Sequence, residues 1–112
     1  MSDLNHPERP ENGITARDNG VFEVTGQVTF QSVPQFLAHT DKWLHGGTGK
    51  VTIDMHGVTL ADSAGLALLI EWLQLARSAR REIVFTNMPD QMRDLIRVNG
   101  LTQVFGINHG QD

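Results

Sequence analysis

The strongest constraint on this chain is a change of hydrophobic period over a short stretch. Lys50-Val51-Thr52-Ile53-Asp54-Met55 is rich in β-branched residues and follows a glycine cluster, which marks a strand. From Asp62-Ser63-Ala64-Gly65 an uninterrupted helical pattern runs to Ala79, and Ile83-Val84-Phe85 then centres an apolar strand over Glu82 to Thr86. Strand, helix and strand in that order require a parallel pair joined by a crossover, and hence an α/β architecture.

The flanking sequence extends this unit both ways. Ile14 to Arg17 and Val21-Phe22-Glu23-Val24-Thr25 read as strands, and Asp18-Asn19-Gly20 between them is a turn, because Asn and Gly tolerate positive φ. Gly26 to Gln31 reads as a loop. Ser32 is the expected N-cap of a first helix, with Gln35 completing a capping box and Pro34 in the first turn. Val33, Phe36, Leu37, Thr40, Trp43 and Leu44 recur at helical spacing and predict one continuous stripe, which the glycines of His45-Gly46-Gly47-Thr48-Gly49 end.

His56 to Ala61 reads as a connecting loop. Asn87-Met88-Pro89-Asp90 opens a third helix carrying Met92, Leu95 and Ile96, and Asn99-Gly100 closes it. Val104 and Phe105 fall in a last short strand. The expected order is β-β-α-β-α-β-α-β: a mixed sheet of four or five strands with its main helices on one face. Residues 1–12 read as a disordered polar tail, 13–106 as the domain and 107–112 as a polar C-terminal tail. No repeat is visible.

Composition narrows the function. The 112 residues suit one domain, and 39% hydrophobic content supplies a core. With no cysteine there is no disulfide, thiolate metal site or cysteine nucleophile. A net charge of −4 argues against nucleic acid as a partner, since that binding runs on phosphate neutralisation. Met1 to Gly20 holds no signal-peptide core. The most apolar stretch, Leu66 to Ala76, carries Glu71 and Gln74 and falls short of the about 20 apolar residues of a membrane span. A cytoplasmic protein without direct membrane insertion is expected.

Familiar catalytic chemistry is missing. His6, His39, His45, His56 and His109 include no i, i+4 pair and no H-E-x-x-H, so no metal site is expected. Gly46-Gly47-Thr48-Gly49-Lys50 precedes a strand and lacks the spacing of a phosphate loop. Ser63 lies beside Asp62, but no G-x-S-x-G elbow is present, and adjacent Asp and Ser cannot alone assemble a triad. A non-enzymatic protein without cofactor is expected.

The informative junction runs from Asp54 to Leu66, where Asp62-Ser63 falls at a helix start. Free N–H groups and the helix dipole there favour a capping oxygen, a phosphate on Ser63, or hydrogen bonds to a partner. Gly65 leaves the first turn open to close approach. In the helix, Leu66, Leu69, Ile70, Leu73 and Ala76 form one arc, which Leu68, Trp72, Leu75 and Ala79 widen. Burial from two sides explains the width; so does an apolar docking patch anchored by Trp72.

At this junction the chain resembles the STAS family, shared by anti-sigma factor antagonists and the cytoplasmic tails of sulfate transporters. The likeness rests on the strand ending near Asp54, the loop, and Asp62-Ser63-Ala64-Gly65-Leu66, supported by Thr25-Gly26 and Asn99-Gly100-Leu101. Within the family, Gly65 through Arg77 is similar to the second helix of the MlaB-like branch, small subunits of phospholipid-transporting ABC complexes. Ala67 stands where antagonists usually carry a further glycine, and no fourth long helix is evident.

The MlaB likeness implies a cytoplasmic accessory subunit, peripheral to the inner membrane, that binds the ABC transporter ATPase and supports lipid asymmetry. Asp62, Ser63, Ala64, Gly65, Leu68 and Trp72 would make the contact. MlaB-like chains often carry Thr where this one has Ser63, and Ser is the residue phosphorylated in antagonists. The alternative is therefore an anti-sigma factor antagonist, switched when an anti-sigma factor kinase phosphorylates Ser63.

Overall fold

The structure, a computed structural model, describes residues 12–47 and 49–106. Of the polar segments expected at 1–12 and 107–112, residues 1–11 and 107–112 lie outside the described residues. Four strands form one sheet in chain order: β1 (Gly13–Ala16), β2 (Val21–Val28), β3 (Val51–Ala61) and β4 (Ile83–Thr86). β1 is antiparallel to β2, whereas β2, β3 and β4 are parallel. The helices are α1 (Val33–Ala38), α2 (Asp41–Leu44), α3 (Ser63–Ser78) and α4 (Asp90–Val98). Expectation and structure agree on a mixed α/β sheet.

The core follows from strand alternation. Val51, Ile53 and Met55 are buried while Thr52 and Asp54 between them are not. Register carries the layer sideways: Phe22, Ile53 and Phe85 are aligned, as are Glu23, Asp54 and Thr86. Phe36, Trp43, Leu66, Leu69, Trp72, Met92 and Ile96 from the helices join the apolar layer in one cluster. The other face carries Glu23, Asp54 and Thr86 beside a row of Val21, Thr52 and Val84.

Six local expectations need correction. β2 runs through Gly26 to Val28, and β3 runs through His56 to Ala61, both of which read as loops. The pairing slips between Glu23 and Thr25 and again between Gly26 and Gln27, so the period of two breaks while the ladder continues. Gly26 has φ +92, and a Cβ there would lie 2.3 Å from Asn12 Oδ1. Asn12, assigned to the tail, in fact accepts the Gln27 N–H at 2.7 Å through that oxygen.

Ser32 does not cap α1. Its backbone is already helical, and its hydroxyl accepts from Thr29 N–H at 2.9 Å and donates to the Gln27 carbonyl at 2.6 Å. The expected single helix is two, because the chain leaves helical geometry at His39. Phe36, Thr40 and Trp43 of the expected stripe are buried, whereas Leu37 is exposed. Lastly, Val104 and Phe105 lie in turns and form no strand. Phe105 instead tilts against Phe85, ring centroids 5.7 Å apart, so an apolar contact replaces a ladder.

Candidate functional site

The C-terminal end of β3 feeds directly into α3, and Asp62 is the hinge between them. Its extended backbone makes it the N-cap, and its Oδ1 accepts from Ala64 N–H at 2.9 Å and Gly65 N–H at 3.1 Å. Oδ2 accepts the Phe30 N–H at 3.1 Å, and Asp62's own N–H donates to the Val28 carbonyl at 3.3 Å. One side chain thus ties the helix start to the segment after β2. Gln91 on α4 also reaches this end, its Oε1 accepting the Ala61 N–H at 3.0 Å.

Ser63 is the first residue of α3 and is exposed. Its hydroxyl makes no hydrogen bond with any described residue. Asp62 satisfies the next two N–H groups, so the positive end of the helix is capped while Ser63 faces outward. Ala64 is half-buried beside it. Two large apolar side chains at the same end of the sheet are uncovered: Phe30, 78% exposed, and Leu60, 42% exposed. Sequence reading missed both; an aromatic residue in a polar stretch after a strand was the available signal for Phe30.

The remaining expected contact residues sit elsewhere. Leu68 and Trp72 are inside the core, 2% and 0% exposed, and have no surface to offer a partner in this conformation. Burial from two sides, by the sheet and by neighbouring helices, accounts for the arc from Leu66 to Ala76, while Ala79 is exposed past the end of α3. Gly65 is buried as well. A Cβ there would lie 2.4 Å from the Val28 carbonyl oxygen, so the glycine serves the close approach of α3 to β2.

A second polar group occupies the open face of the sheet. Asn87 donates to Asp54 Oδ1 at 3.0 Å, His56 N–H donates to the same oxygen at 2.9 Å, and Arg17 lies 3.8 Å from Oδ2. The Asn87 hydrogen bond chiefly, with those of His56 and the nearby positive charges, outweighs burial and holds the Asp54 carboxyl below its ordinary value. Arg17 also pairs with Glu23 at 3.3 Å, which relieves the alignment of two carboxylates across β2 and β3. Among the described residues no group of His, Asp and Glu is arranged to hold a metal ion, and no helix is long and apolar enough to cross a membrane.

This geometry has relatives. An anti-sigma-B factor antagonist of Staphylococcus aureus is 22% identical over 90 residues, covering 80% of this chain and 83% of its own. An anti-sigma factor antagonist from Mycobacterium paratuberculosis superposes with a TM-score of 0.65 at 20% identity, covering 97% of this chain and 93% of its own. The antagonist SpoIIAA, solved in its unphosphorylated form, gives 0.58 at 15% identity over 85% and 98%. A family model described as "Mlab, STAS domain" matches residues 14–107, which include all of the four strands but Gly13, and the Asp62-Ser63 junction. With that span matched, the chain belongs to the STAS domain family.

Proposed function

We propose that the chain is a protein-interaction module of the partner-switching kind, an anti-sigma factor antagonist whose control point is Ser63. The observation that carries this reading is the exposed Ser63 hydroxyl, without a hydrogen bond among the described residues, at a pre-capped helix start, with Phe30 and Leu60 uncovered at the same end of the sheet. The S. aureus and M. paratuberculosis relatives, both named as anti-sigma factor antagonists, support it. That SpoIIAA is distinguished as unphosphorylated supports phosphorylation as the control. The partner is an anti-sigma factor kinase in the cytoplasm. Phosphorylation adds roughly two negative charges at the contact and drives the partners apart.

A second reading has one specific support, the MlaB description of the matching family model. In it, the same Ser63 surface binds the ATPase of a phospholipid-transport ABC complex at the inner membrane, and Ser63 supplies a hydrogen bond. Both readings have the chain act by binding, not turnover.

Capture from native cytosol and membranes with tagged wild type and Ser63→Asp, followed by mass spectrometry, separates them. Recovery of a kinase-like anti-sigma factor, lost with Ser63→Asp, supports the first reading. Recovery of an ABC ATPase with its permease overturns it in favour of the second.

A further inference from the structure

We propose that Asp62 is a latch that positions Phe30 on the docking surface, and that a phosphoryl group on Ser63 releases it. The inference rests on Ser63 being the phosphorylation site and adds how the modification is transmitted. The two carboxylate oxygens of Asp62 hold different elements. Oδ1 caps α3 through Ala64 and Gly65, and Oδ2 accepts the Phe30 N–H at 3.1 Å. Phe30 is 78% exposed and sits in a turn closed by the Ser32 and Val33 N–H groups, which both donate to the Thr29 carbonyl at 2.9 Å, so the Asp62 bond sets where that turn lies against the start of α3.

The neighbours of Phe30 are held separately. Ser32 Oγ accepts the Thr29 N–H at 2.9 Å, and the Ser32 hydroxyl donates to the Gln27 carbonyl at 2.6 Å, with Ser32 only 4% exposed. Loss of the Asp62 contact therefore lets the turn that carries Phe30 shift relative to α3 while its own hydrogen bonds and the end of β2 stay in place.

Phosphorylation supplies the disturbance. The γ-phosphoryl group of a nucleoside triphosphate passes to Ser63 Oγ: the Oγ–P bond forms, the bond from phosphorus to the departing diphosphate breaks, and the hydroxyl proton leaves to a base on the kinase. The product is a dianion next to the Asp62 carboxylate and beside the same helix N–H groups. A phosphate is favoured at a helix N-terminus, so it competes for the N–H groups of Ala64 and Gly65 while repelling the carboxylate. Asp62 turns away and the Phe30 N–H loses its acceptor. The modification changes the shape of the surface as well as its charge.

Asp62→Asn separates the two duties of this side chain. An Asn oxygen still caps a helix, whereas the amide nitrogen cannot accept from Phe30. Backbone amide exchange is measured by NMR on the full chain as wild type, Asp62→Asn, Ser63→Ala and protein with phosphoserine genetically encoded at position 63. The Phe30 amide is expected to exchange about tenfold faster in the Asp62→Asn and phosphoserine forms, with α3 amides from Leu69 to Trp72 unchanged and Ser63→Ala like wild type. Equal protection of Phe30 in the wild-type and phosphoserine forms overturns the proposal. No partner enters this measurement, so failure of the latch is read here, and failure of the proposed function is read in the capture experiment.

Discussion

The indole N–H of Trp72 donates to the hydroxyl of Thr40 at 2.9 Å, joining the middle of α3 to the break between α1 and α2. Both residues are buried, and the Trp72 ring meets Trp43 edge to face, centroids 5.8 Å apart. This is why Trp72 builds the core and presents no surface to a partner. Thr40→Val keeps the shape of the side chain and strands the indole N–H. The expected loss is about 1–3 kcal/mol, seen as a lower denaturant midpoint with unchanged slope. Thr40→Ser, which keeps the acceptor, loses less.

Gly65→Ala tests the close approach of α3 to β2. Alanine favours a helix over glycine by about 1 kcal/mol, yet the added methyl would meet backbone, the Val28 carbonyl at 2.4 Å. Overpacking wins, and a net loss of about 1–3 kcal/mol is expected in chemical denaturation. A variant as stable as wild type would contradict the packing described.

Phe30→Ser and Leu60→Ser test the surface without touching the core. Phe30 is 78% exposed, so Phe30→Ser stays within about 0.5 kcal/mol of wild type, whereas Leu60, 42% exposed within β3, loses about 1 kcal/mol with its buried part. Affinity for the captured partner, measured by calorimetry, falls at least about tenfold, which is about 1.4 kcal/mol.

Asp54 gives a pH dependence with a defined sign. Its carboxyl is lowered from 3.8 by the Asn87 hydrogen bond first, then by His56 and Arg17, against the opposing effect of burial. A depressed folded-state value stabilises the fold above pH 3.8, and that contribution is lost as the pH falls from 3.8 through the lower folded value. Asp54→Asn should therefore flatten the acid limb of the stability curve below pH 3.8. Parallel acid limbs for variant and wild type would contradict this.

Much of the fold is legible in the sequence because β3, α3 and β4 carry strong, unbroken periodicities. Asp62 and Ser63 are legible because N-cap chemistry is local. What was missed is non-local. Two extra residues in β3 break its period of two, so His56 to Ala61 reads as a loop, and Gly26 to Val28 becomes strand only by pairing with that stretch. Ser32 fits a capping box, but its hydroxyl binds backward to Thr29 and Gln27. Trp72 reads equally as anchor or core until the Thr40 hydroxyl is placed beside it. Phe30 joins the site only through a contact 32 positions away in the chain.

The most direct test of the central claim is the affinity of the captured partner for wild-type protein and for protein with phosphoserine at position 63, by titration calorimetry at one salt concentration. An exposed Ser63 that controls the docking surface predicts binding weakened at least about tenfold by the phosphoryl group. Equal affinity for the two forms would contradict Ser63 as the control point.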